Sequence, residues 1–235
     1  LHLTSNEVQI YSENNNIPVY TPSDLHATLD LPHPDFIIVA GFGKLLPKAW
    51  LDRAKIMAVN LHPSLLPDYP GRCPAEWAIL NGETETGVTL IRMTEKFDQG
   101  PILAQEKIPI GPDDTRLTLY PKLFDLGANM LVDTLPQIAS GELTPNTQTS
   151  KSYQLKAKSS SYARQVVRQD GFIPWPDFSS WLKTNDQRLA TKFRAFTGWP
   201  GVWTTNPSGK RIKLISLQPQ IIIQEEGKSP TPWLP

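Results

Sequence analysis

The sequence has 235 residues, which suits one large domain or two small ones, since domains most often contain about 100–150 residues. With 39% hydrophobic and 20% charged residues it can bury a core, which argues against an intrinsically disordered chain. The 23 basic and 23 acidic residues cancel but are unevenly distributed. Residues 1–150 contain 10 basic and 18 acidic residues (net charge −8), and residues 151–235 contain 13 and 5 (net charge +8). This asymmetry indicates an anionic partner for the second part.

The chain shows no sign of export or membrane insertion. Its single cysteine, Cys73, cannot form an internal disulfide, which is consistent with a reducing compartment, and we expect a cytoplasmic protein. No segment approaches the roughly 18 consecutive apolar residues of a membrane span. The chain begins at Leu1 instead of Met, and its polar start does not resemble a signal peptide. We therefore expect a fragment whose natural N-terminus lies upstream.

Strand and helix patterns alternate through the first part of the chain. Strands are predicted at residues 16–20, 35–40, 56–61, 88–93 and 102–110. Helices are predicted at residues 25–29, 47–54, 75–81 and 118–138, with turns at 21–24 and 97–100. Such alternation is typical of an α/β fold with a mostly parallel sheet.

The second part of the chain has a different character. Residues 142–160 are mostly polar and show no periodicity, which is typical of a linker. Beyond them, the predicted elements are a helix at residues 186–196 and strands at 201–205, 211–217 and 221–223. The predicted organisation is therefore a unit at residues 1–141, a linker at 142–160 and a small β-rich unit at 161–235.

Three polar residues form a candidate site in the first unit. Asn60 and His62 lie at the end of a predicted strand, where open α/β sheets bind ligands, and residues two apart point to the same face. Asp98 lies in a predicted turn and can orient the imidazole if that turn folds back. An amide donor, an imidazole and a carboxylate suit acyl transfer to an amine. The same residue types are also common structural residues at strand ends and turns, so their spacing alone leaves that reading open.

Four motifs that follow one another along the chain resemble the formyltransferases that use 10-formyltetrahydrofolate. They are Asn60-Leu61-His62-Pro63-Ser64-Leu65-Leu66-Pro67, Gly71-Arg72-Cys73-Pro74, Asn81-Gly82-Glu83-Thr84-Glu85-Thr86-Gly87-Val88-Thr89 and Asp98-Gln99-Gly100. The resemblance spans residues 16–140 and implies a Rossmann-like formyltransferase domain. The family's opening strand, helix and second strand have no counterpart here, so the first βαβ part of the sheet is expected to be missing.

The resemblance also implies roles for matching residues. Asn60 and His62 match the pair that polarises the formyl oxygen, and Asp98 matches the carboxylate that positions His62 and relays protons. The implied folate-binding residues are Ser64, Leu65, Leu66, Pro67, Phe42 and Gly43. Because 10-formyltetrahydrofolate is an activated amide, no covalent nucleophile is needed, and Cys73 is expected to be a buried or turn residue without a catalytic role. The four histidines and one cysteine show no ligand spacing, so no metal is expected.

Motifs of the second unit resemble the C-terminal domain of methionyl-tRNA formyltransferases, an OB-like β-barrel that helps to hold tRNA. They are Asp170-Gly171-Phe172-Ile173-Pro174-Trp175, Lys192-Phe193-Arg194-Ala195-Phe196-Thr197-Gly198-Trp199-Pro200-Gly201-Val202-Trp203-Thr204 and Gly209-Lys210-Arg211-Ile212-Lys213. The positive charge of this half fits phosphate binding. The expected tRNA contacts are Lys192, Arg194, Lys210, Arg211 and Lys213. Trp175, Trp199 and Trp203 are able to stack on bases, but in so small a unit we expect them in the core.

The resemblance implies formyl transfer from 10-formyltetrahydrofolate to the α-amine of methionyl-initiator tRNA in translation initiation, and we expect a monomer. Sugar-nucleotide formyltransferases can carry a related C-terminal unit, so an amino-sugar nucleotide is the alternative substrate. A second alternative is a tRNA-binding fragment without activity, because the predicted sheet is incomplete.

Overall fold

The computed structural model describes residues 7–20, 33–148 and 162–233. The predicted turn at residues 21–24, the predicted helix at 25–29 and residues 149–160 of the predicted linker lie outside the described residues. None of the helices in the described part is both long enough and apolar enough to span a membrane.

The described elements form two sheets with helices packed against them. The first part contains the helices α1 (Glu7–Asn14), α2 (Lys48–Leu51), α3 (Pro74–Leu80) and α4 (Arg116–Ala139) and the strands β1 (Phe36–Ala40), β2 (Met57–His62), β3 (Glu85–Arg92) and β4 (Ile102–Pro109). The second part contains a 3-10 turn (Arg168–Gly171), the helices α5 (Trp175–Thr184) and α6 (Gln187–Phe196) and the strands β5 (Val202–Thr205), β6 (Arg211–Ser216), β7 (Ile222–Glu225) and β8 (Thr231–Pro232).

The first sheet is mixed, with its strands in the order β1-β2-β3-β4. Strands β1 and β2 are parallel, whereas the β2–β3 and β3–β4 pairs are antiparallel. The prediction of a mostly parallel sheet is therefore wrong for the described strands. The connection after β2, formed by the loop at residues 63–73 and α3, begins and ends at the carboxyl end of that strand. Strand β3 therefore starts at this end and runs antiparallel to β2. Residues of this connection, among them Gly71 and Arg72, line a cleft at the edge of the sheet that carries Asn60 and His62.

The core of the first part lies between the sheet and α4. The prediction of a helix at residues 118–138 is confirmed, with the helix extended to Arg116–Ala139. It begins at a capping box, in which the side chains of Thr115 and Thr118 each bond to the other's backbone N–H. Its apolar positions recur on one face and bury Leu119 and Leu123 against strands β2 and β3. The buried strand residues of this cluster include Val59, Leu61, Val88 and Leu90.

Helix α4 approaches β2 closely at Gly127, where a methyl group would lie 2.7 Å from Leu61 Cγ and 3.0 Å from its Cδ2. We expect Gly127→Ala to lower the free energy of unfolding by about 1 kcal/mol. Helix propensity favours alanine by about 1 kcal/mol, but overpacking a filled core costs about 1–3 kcal/mol. Urea denaturation measures the difference. Asn129→Ala, at an exposed position of the same helix, is the control and is expected to gain about 0.5 kcal/mol. Equal stabilisation by both substitutions would contradict the prediction.

The second sheet is antiparallel throughout, in the order β5-β6-β7-β8. The predicted helix at residues 186–196 and the three predicted strands are confirmed with small changes at their ends. The sheet and the helices α5 and α6 enclose a second core that includes Phe178, Leu189, Val202 and Leu214. The described residues form an open four-stranded sheet, so the OB-like barrel stays a prediction.

Helix α5 and residues 16–20 differ from the predicted elements. Helix α5 was missed because Pro174 and Pro176 obscure its pattern, although proline is well tolerated at the first turn of a helix. The strand predicted at residues 16–20 is wrong, because this segment is exposed and is not assigned to a strand. It follows the short helix α1, and its Ile17 and Val19 side chains are 50% and 39% exposed.

The two parts of the molecule are joined by hydrogen bonds as well as by apolar contacts. Arg116 Nε donates to the carbonyl of Thr197 at 2.8 Å, and an amino group of Arg194 donates to the carbonyl of Asp114 at 3.0 Å. The buried Phe196 at the end of α6 belongs to the first core. The second part therefore packs directly on the part that carries the candidate site.

Candidate active site

A cleft of about 310 Å³ opens at the carboxyl ends of β1 and β2. Open α/β sheets place their ligands at this edge. Residues that line the cleft include Phe42, Gly43, Lys44 and Leu45 after β1, Asn60 and His62 on β2, Gly71 and Arg72 in the following loop, Met93, Thr94, Lys96, Phe97 and Asp98 after β3, and Tyr120 and Phe124 on α4.

Asn60, His62 and Asp98 come together in this cleft. The turn after β3 folds back over β2, and the Asp98 Oδ1 atom lies 3.6 Å from His62 Nδ1 and 3.5 Å from Asn60 Nδ2. His62 and Asp98 are 4% and 7% exposed, so the pair is shielded from water. The structure thus places together the three residues that the sequence indicated. Both distances are longer than a strong hydrogen bond, and such contacts often tighten when substrate binds.

The imidazole of His62 is held from two sides. Its Nε2 lies 3.0 Å from the carbonyl oxygen of Tyr69. A carbonyl can only accept, so the hydrogen-bond network assigns a proton to Nε2 and leaves Nδ1 facing Asp98. The orientation of the ring is therefore set before any substrate arrives.

The Asp98 carboxylate is held in a constrained turn. Its backbone adopts a left-handed conformation with φ +53°, and the N–H of Gly71 donates to its Oδ2 at 2.8 Å. Burial raises the pKa of the Asp98 carboxyl above its ordinary value, while His62 and the Gly71 N–H oppose this shift without cancelling it. Gly71 has φ +125°, and a Cβ there would overlap the carbonyl of Ala163, so only glycine fits this position.

A glutamine that the sequence did not single out also reaches this turn. The Nε2 of Gln148 donates to the carbonyl oxygens of Asp98 at 3.2 Å and Gly100 at 2.6 Å. Gln148 lies in the segment that the sequence assigned to a linker. A polar stretch without periodicity carries no local signal for such a contact, because the contact arises only from tertiary packing.

The predicted folate-binding residues are divided between two places. Phe42 and Gly43 line the cleft, whereas Ser64, Leu65, Leu66 and Pro67 are not among the residues that line it. Ser64 is fully buried, and its Oγ donates to the carbonyl of Asp68 at 2.7 Å. The backbone of Leu66 is tied to β3 and β4, since its N–H donates to Thr89 Oγ1 at 3.0 Å and its carbonyl accepts from Gln105 Nε2 at 2.9 Å. These four residues form a braced loop that supports His62.

The charged side chains that line the cleft are mostly basic, although residues 1–150 as a whole have a net negative charge. Lys44, Arg72 and Lys96 line it, and Asp98 is its one acidic residue among the described ones. The charge count over residues 1–150 concealed this, because a sum along the chain does not record which side chains share a surface. The local charge favours an anionic ligand.

The basic residues predicted to contact tRNA fall into two groups. Lys192 Nζ donates to the carbonyl of Phe172 at 2.8 Å, and its burial lowers the pKa of its ammonium group. Arg194 donates to the carbonyl of Asp114, so both side chains brace the fold. Lys210 pairs with Glu225 at 3.2 Å.

Arg211 and Lys213 line a second cleft, of about 360 Å³, in the C-terminal part. Arg168, which the sequence did not single out, and the rings of Trp199 and Trp203 line it as well. The expectation that Trp199 is a core residue is wrong, since it is 51% exposed in the loop after α6, whereas Trp175 packs against the second core.

The expectation that Cys73 is a buried or turn residue agrees with the structure. Its Sγ accepts from the N–H of Val166 at 3.5 Å, and burial raises the pKa of its thiol. Cys73 is not among the residues that line the cleft. Within the described residues, no group of three or more His, Cys, Asp or Glu side chains is placed to hold a metal ion.

Comparison with known protein families identifies the family to which the chain belongs. The formyl transferase family profile matches residues 7–135, which is more than half of the sequence. The chain belongs to the formyl transferase family. The first part is thus a Rossmann-like formyltransferase domain with a mixed sheet.

Curated relatives of this family member carry a more specific name. A methionyl-tRNA formyltransferase from Synechococcus sp. (strain JA-2-3B'a(2-13)) is 38% identical over 234 residues, covering 97% of this chain and 66% of the relative. A methionyl-tRNA formyltransferase from Geobacter metallireducens is 35% identical over 212 residues, covering 88% of this chain and 63% of the relative. The chain thus spans slightly less than two thirds of the length of these relatives.

Solved structures support the fold. An N-formyltransferase from Helicobacter canadensis, in complex with folinic acid and dTDP-3-aminofucose, superposes with a TM-score of 0.62 at 20% identity. The match covers 93% of this chain and 78% of that one. HypX from Aquifex aeolicus, in complex with tetrahydrofolic acid, gives a TM-score of 0.61 at 20% identity, covering 78% of this chain and 29% of that one.

Proposed function

We propose that this protein transfers the formyl group of 10-formyltetrahydrofolate to the α-amine of methionyl-initiator tRNA, as an enzyme of translation initiation. The observation that carries the proposal is the convergence of Asn60, His62 and Asp98 in the cleft at the end of β2, in a member of the formyl transferase family. The curated relatives, named methionyl-tRNA formyltransferase, favour this substrate.

The reaction replaces one C–N bond by another. The free amine of the methionyl group attacks the formyl carbon, the bond from that carbon to the folate nitrogen breaks, and the proton lost by the amine is passed to the departing nitrogen. Negative charge develops on the formyl oxygen during the attack, and preorganised donors stabilise it. Asn60 supplies such donors, since its amide is engaged by Asp98 only at 3.5 Å. His62 and Asp98 move the proton of the amine as a pair, and since His62 Nε2 donates to the Tyr69 carbonyl, the proton passes through Asp98 and His62 Nδ1.

The cleft residues suit a folate-derived donor. Phe42, Leu45 and Phe97 offer apolar surface for a flat ring system, and the cations Lys44 and Lys96 suit the carboxylates of its tail. The folate-derived ligands of the two solved relatives support this assignment. Ser64, Leu65, Leu66 and Pro67 then contribute to folate binding through the shape of the loop that supports His62.

The C-terminal part is proposed to hold tRNA. We assign residues 1–141 to the catalytic domain, 142–160 to a linker and 161–235 to an OB-like tRNA-binding domain. Arg168, Arg211 and Lys213 line one cleft together with the exposed ring of Trp199, which suits a phosphate backbone and an unpaired base. Glu225 and Glu226 line the same cleft, and Arg211 pairs with Glu226 at 3.8 Å, so tRNA phosphates have to compete with this glutamate for Arg211. We propose that the protein acts as a cytoplasmic monomer.

Parallel formylation assays with two substrates test the substrate assignment. The protein is given 10-formyltetrahydrofolate with either methionyl-initiator tRNA or an amino-sugar nucleotide, and formylated products are separated by chromatography. We expect formyl-methionyl-tRNA and no formylated sugar. Formylation of the sugar alone would overturn the proposal and favour the sugar-nucleotide alternative. Salt-sensitive tRNA binding without product in either reaction would identify a tRNA-binding fragment without activity.

A further inference from the structure

The segment after α4 reaches the candidate site through one side chain. Asn146 forms two backbone hydrogen bonds with Ile102 at the start of β4, of 2.7 and 2.8 Å, and these fix the segment against the first sheet. Two residues later, the half-buried side chain of Gln148 turns toward the loop between β3 and β4. The backbone that carries this glutamine is therefore anchored independently of the contact that its side chain makes.

The amide of Gln148 bridges the turn that carries Asp98. Its Nε2 donates both of its hydrogens, one to the carbonyl of Asp98 at 3.2 Å and one to that of Gly100 at 2.6 Å. The Oε1 atom of the same amide is buried without a hydrogen-bond partner among the described residues. The two carbonyls are thus the contacts that orient this side chain.

The position of the Asp98 carboxylate depends on the backbone of this turn. Asp98 has φ +53°, a left-handed conformation that Asp adopts more readily than most L-residues but that is still less favourable than the right-handed one. A backbone rotation at this residue would carry the carboxylate away from His62 Nδ1 and from the Gly71 N–H. Gln148 holds the backbone carbonyl of Asp98, and the Gly71 N–H holds its carboxylate. Asp98 is therefore fixed at both its backbone and its side chain.

We propose that Gln148 is a positioning residue that holds the Asp98 carboxylate in its place beside His62 Nδ1 during formyl transfer. The inference rests on the proposed function, since it gives Gln148 its role through the His62–Asp98 pair. It assigns a part of the active site to a segment that composition alone describes as a linker.

The primary test replaces Gln148 by methionine, which keeps the length of the side chain and removes both donors. We expect kcat for formyl transfer to fall by about 10- to 100-fold, because misplacing a catalytic group by about 1 Å has effects of this size. KM for both substrates is expected to change less than threefold, since Gln148 is not among the residues that line the cleft. Gln148→Leu, which also removes the donors and adds no charge, is expected to give the same result and serves if the methionine variant folds poorly.

The matched control is Gln137→Met on the exposed face of α4, where the glutamine donates to the backbone carbonyl of Asp133. This control is expected to keep the kcat of the unmodified protein. A double substitution separates positioning from general destabilisation. If Gln148 acts through Asp98, then Gln148→Met adds no further loss in an Asp98→Asn background. Multiplicative losses in the double variant would overturn the inference.

Hydrogen exchange supplies a measurement that does not depend on the reaction. In Gln148→Met the amides of residues 93–100 are expected to exchange at least 10-fold faster, with the rest of the chain unchanged. Unchanged exchange in this turn would overturn the inference even if kcat fell. If no substrate is formylated by the unmodified protein, the proposed function fails, and the exchange measurement still decides whether Gln148 holds the turn.

Discussion

Replacement of His62 by alanine is expected to lower kcat for formyl transfer by about 10³-fold, because a positioned acid–base group contributes about 10²- to 10⁴-fold. The imidazole is 4% exposed and held between Tyr69 and Asp98, so it supplies charge and proton transfer in a site shielded from water. Single-turnover formylation of methionyl-tRNA, followed by acid gel electrophoresis, measures the chemical step directly.

The control for this variant is His33→Ala. His33 is exposed and lies near the carbonyl of Arg53, and it is not among the residues that line the cleft. It is expected to keep full activity. A His62→Ala protein that remains folded and retains more than about a tenth of the activity would rule out acid–base catalysis by this residue, since that loss lies below the contribution of such a group.

The sequence was most informative for elements whose local pattern reflects their packing. The apolar run before Gly41 predicted β1, although no residue of this strand is fully buried. The apolar periodicity of residues 118–138 predicted α4, because burial of one helix face leaves a pattern in the chain. The two-residue spacing of Asn60 and His62 placed their side chains on the same face of β2. The turn that brings Asp98 to them was predicted from its composition, although the direction in which it folds was not.

The sequence was uninformative wherever a contact joins distant segments. The direction of β3 depends on how the loop at residues 63–73 and α3 pack, and alternation of strands and helices does not encode this. Gln148 and Arg168 stand in segments without periodicity, so nothing local distinguishes them from solvated polar residues. The positive lining of the cleft likewise arises from Lys44, Arg72 and Lys96 on three separate loops.

Asp98→Asn is expected to lower kcat/KM by about 10²-fold or more at neutral pH, because an amide cannot take up and release a proton in partnership with His62. Burial raises the pKa of the Asp98 carboxyl, so its protonation begins above the ordinary value of about 3.9. Activity of the unmodified protein therefore falls as the pH drops through this raised pKa. The pH profile of kcat/KM is expected to lose this acidic limb in the variant, and persistence of the limb would show that another group is responsible.

Stability is expected to move in the opposite direction from activity in Asp98→Asn. A carboxyl whose pKa is raised by folding is ionised at a cost in the folded state, and this cost is present above the folded pKa and disappears as the pH falls through it. The asparagine removes the buried charge, while its amide oxygen remains available to the Gly71 N–H. The free energy of unfolding at pH 7 is therefore expected to be equal to or higher than that of the unmodified protein, with the difference shrinking at low pH. A loss of more than about 1 kcal/mol at pH 7 would mean that the ionised carboxylate stabilises the fold, because one unit of pKa corresponds to about 1.4 kcal/mol. Equal or higher stability of Asp98→Asn at pH 7 would instead indicate that the site keeps a buried charge for catalysis at the expense of stability.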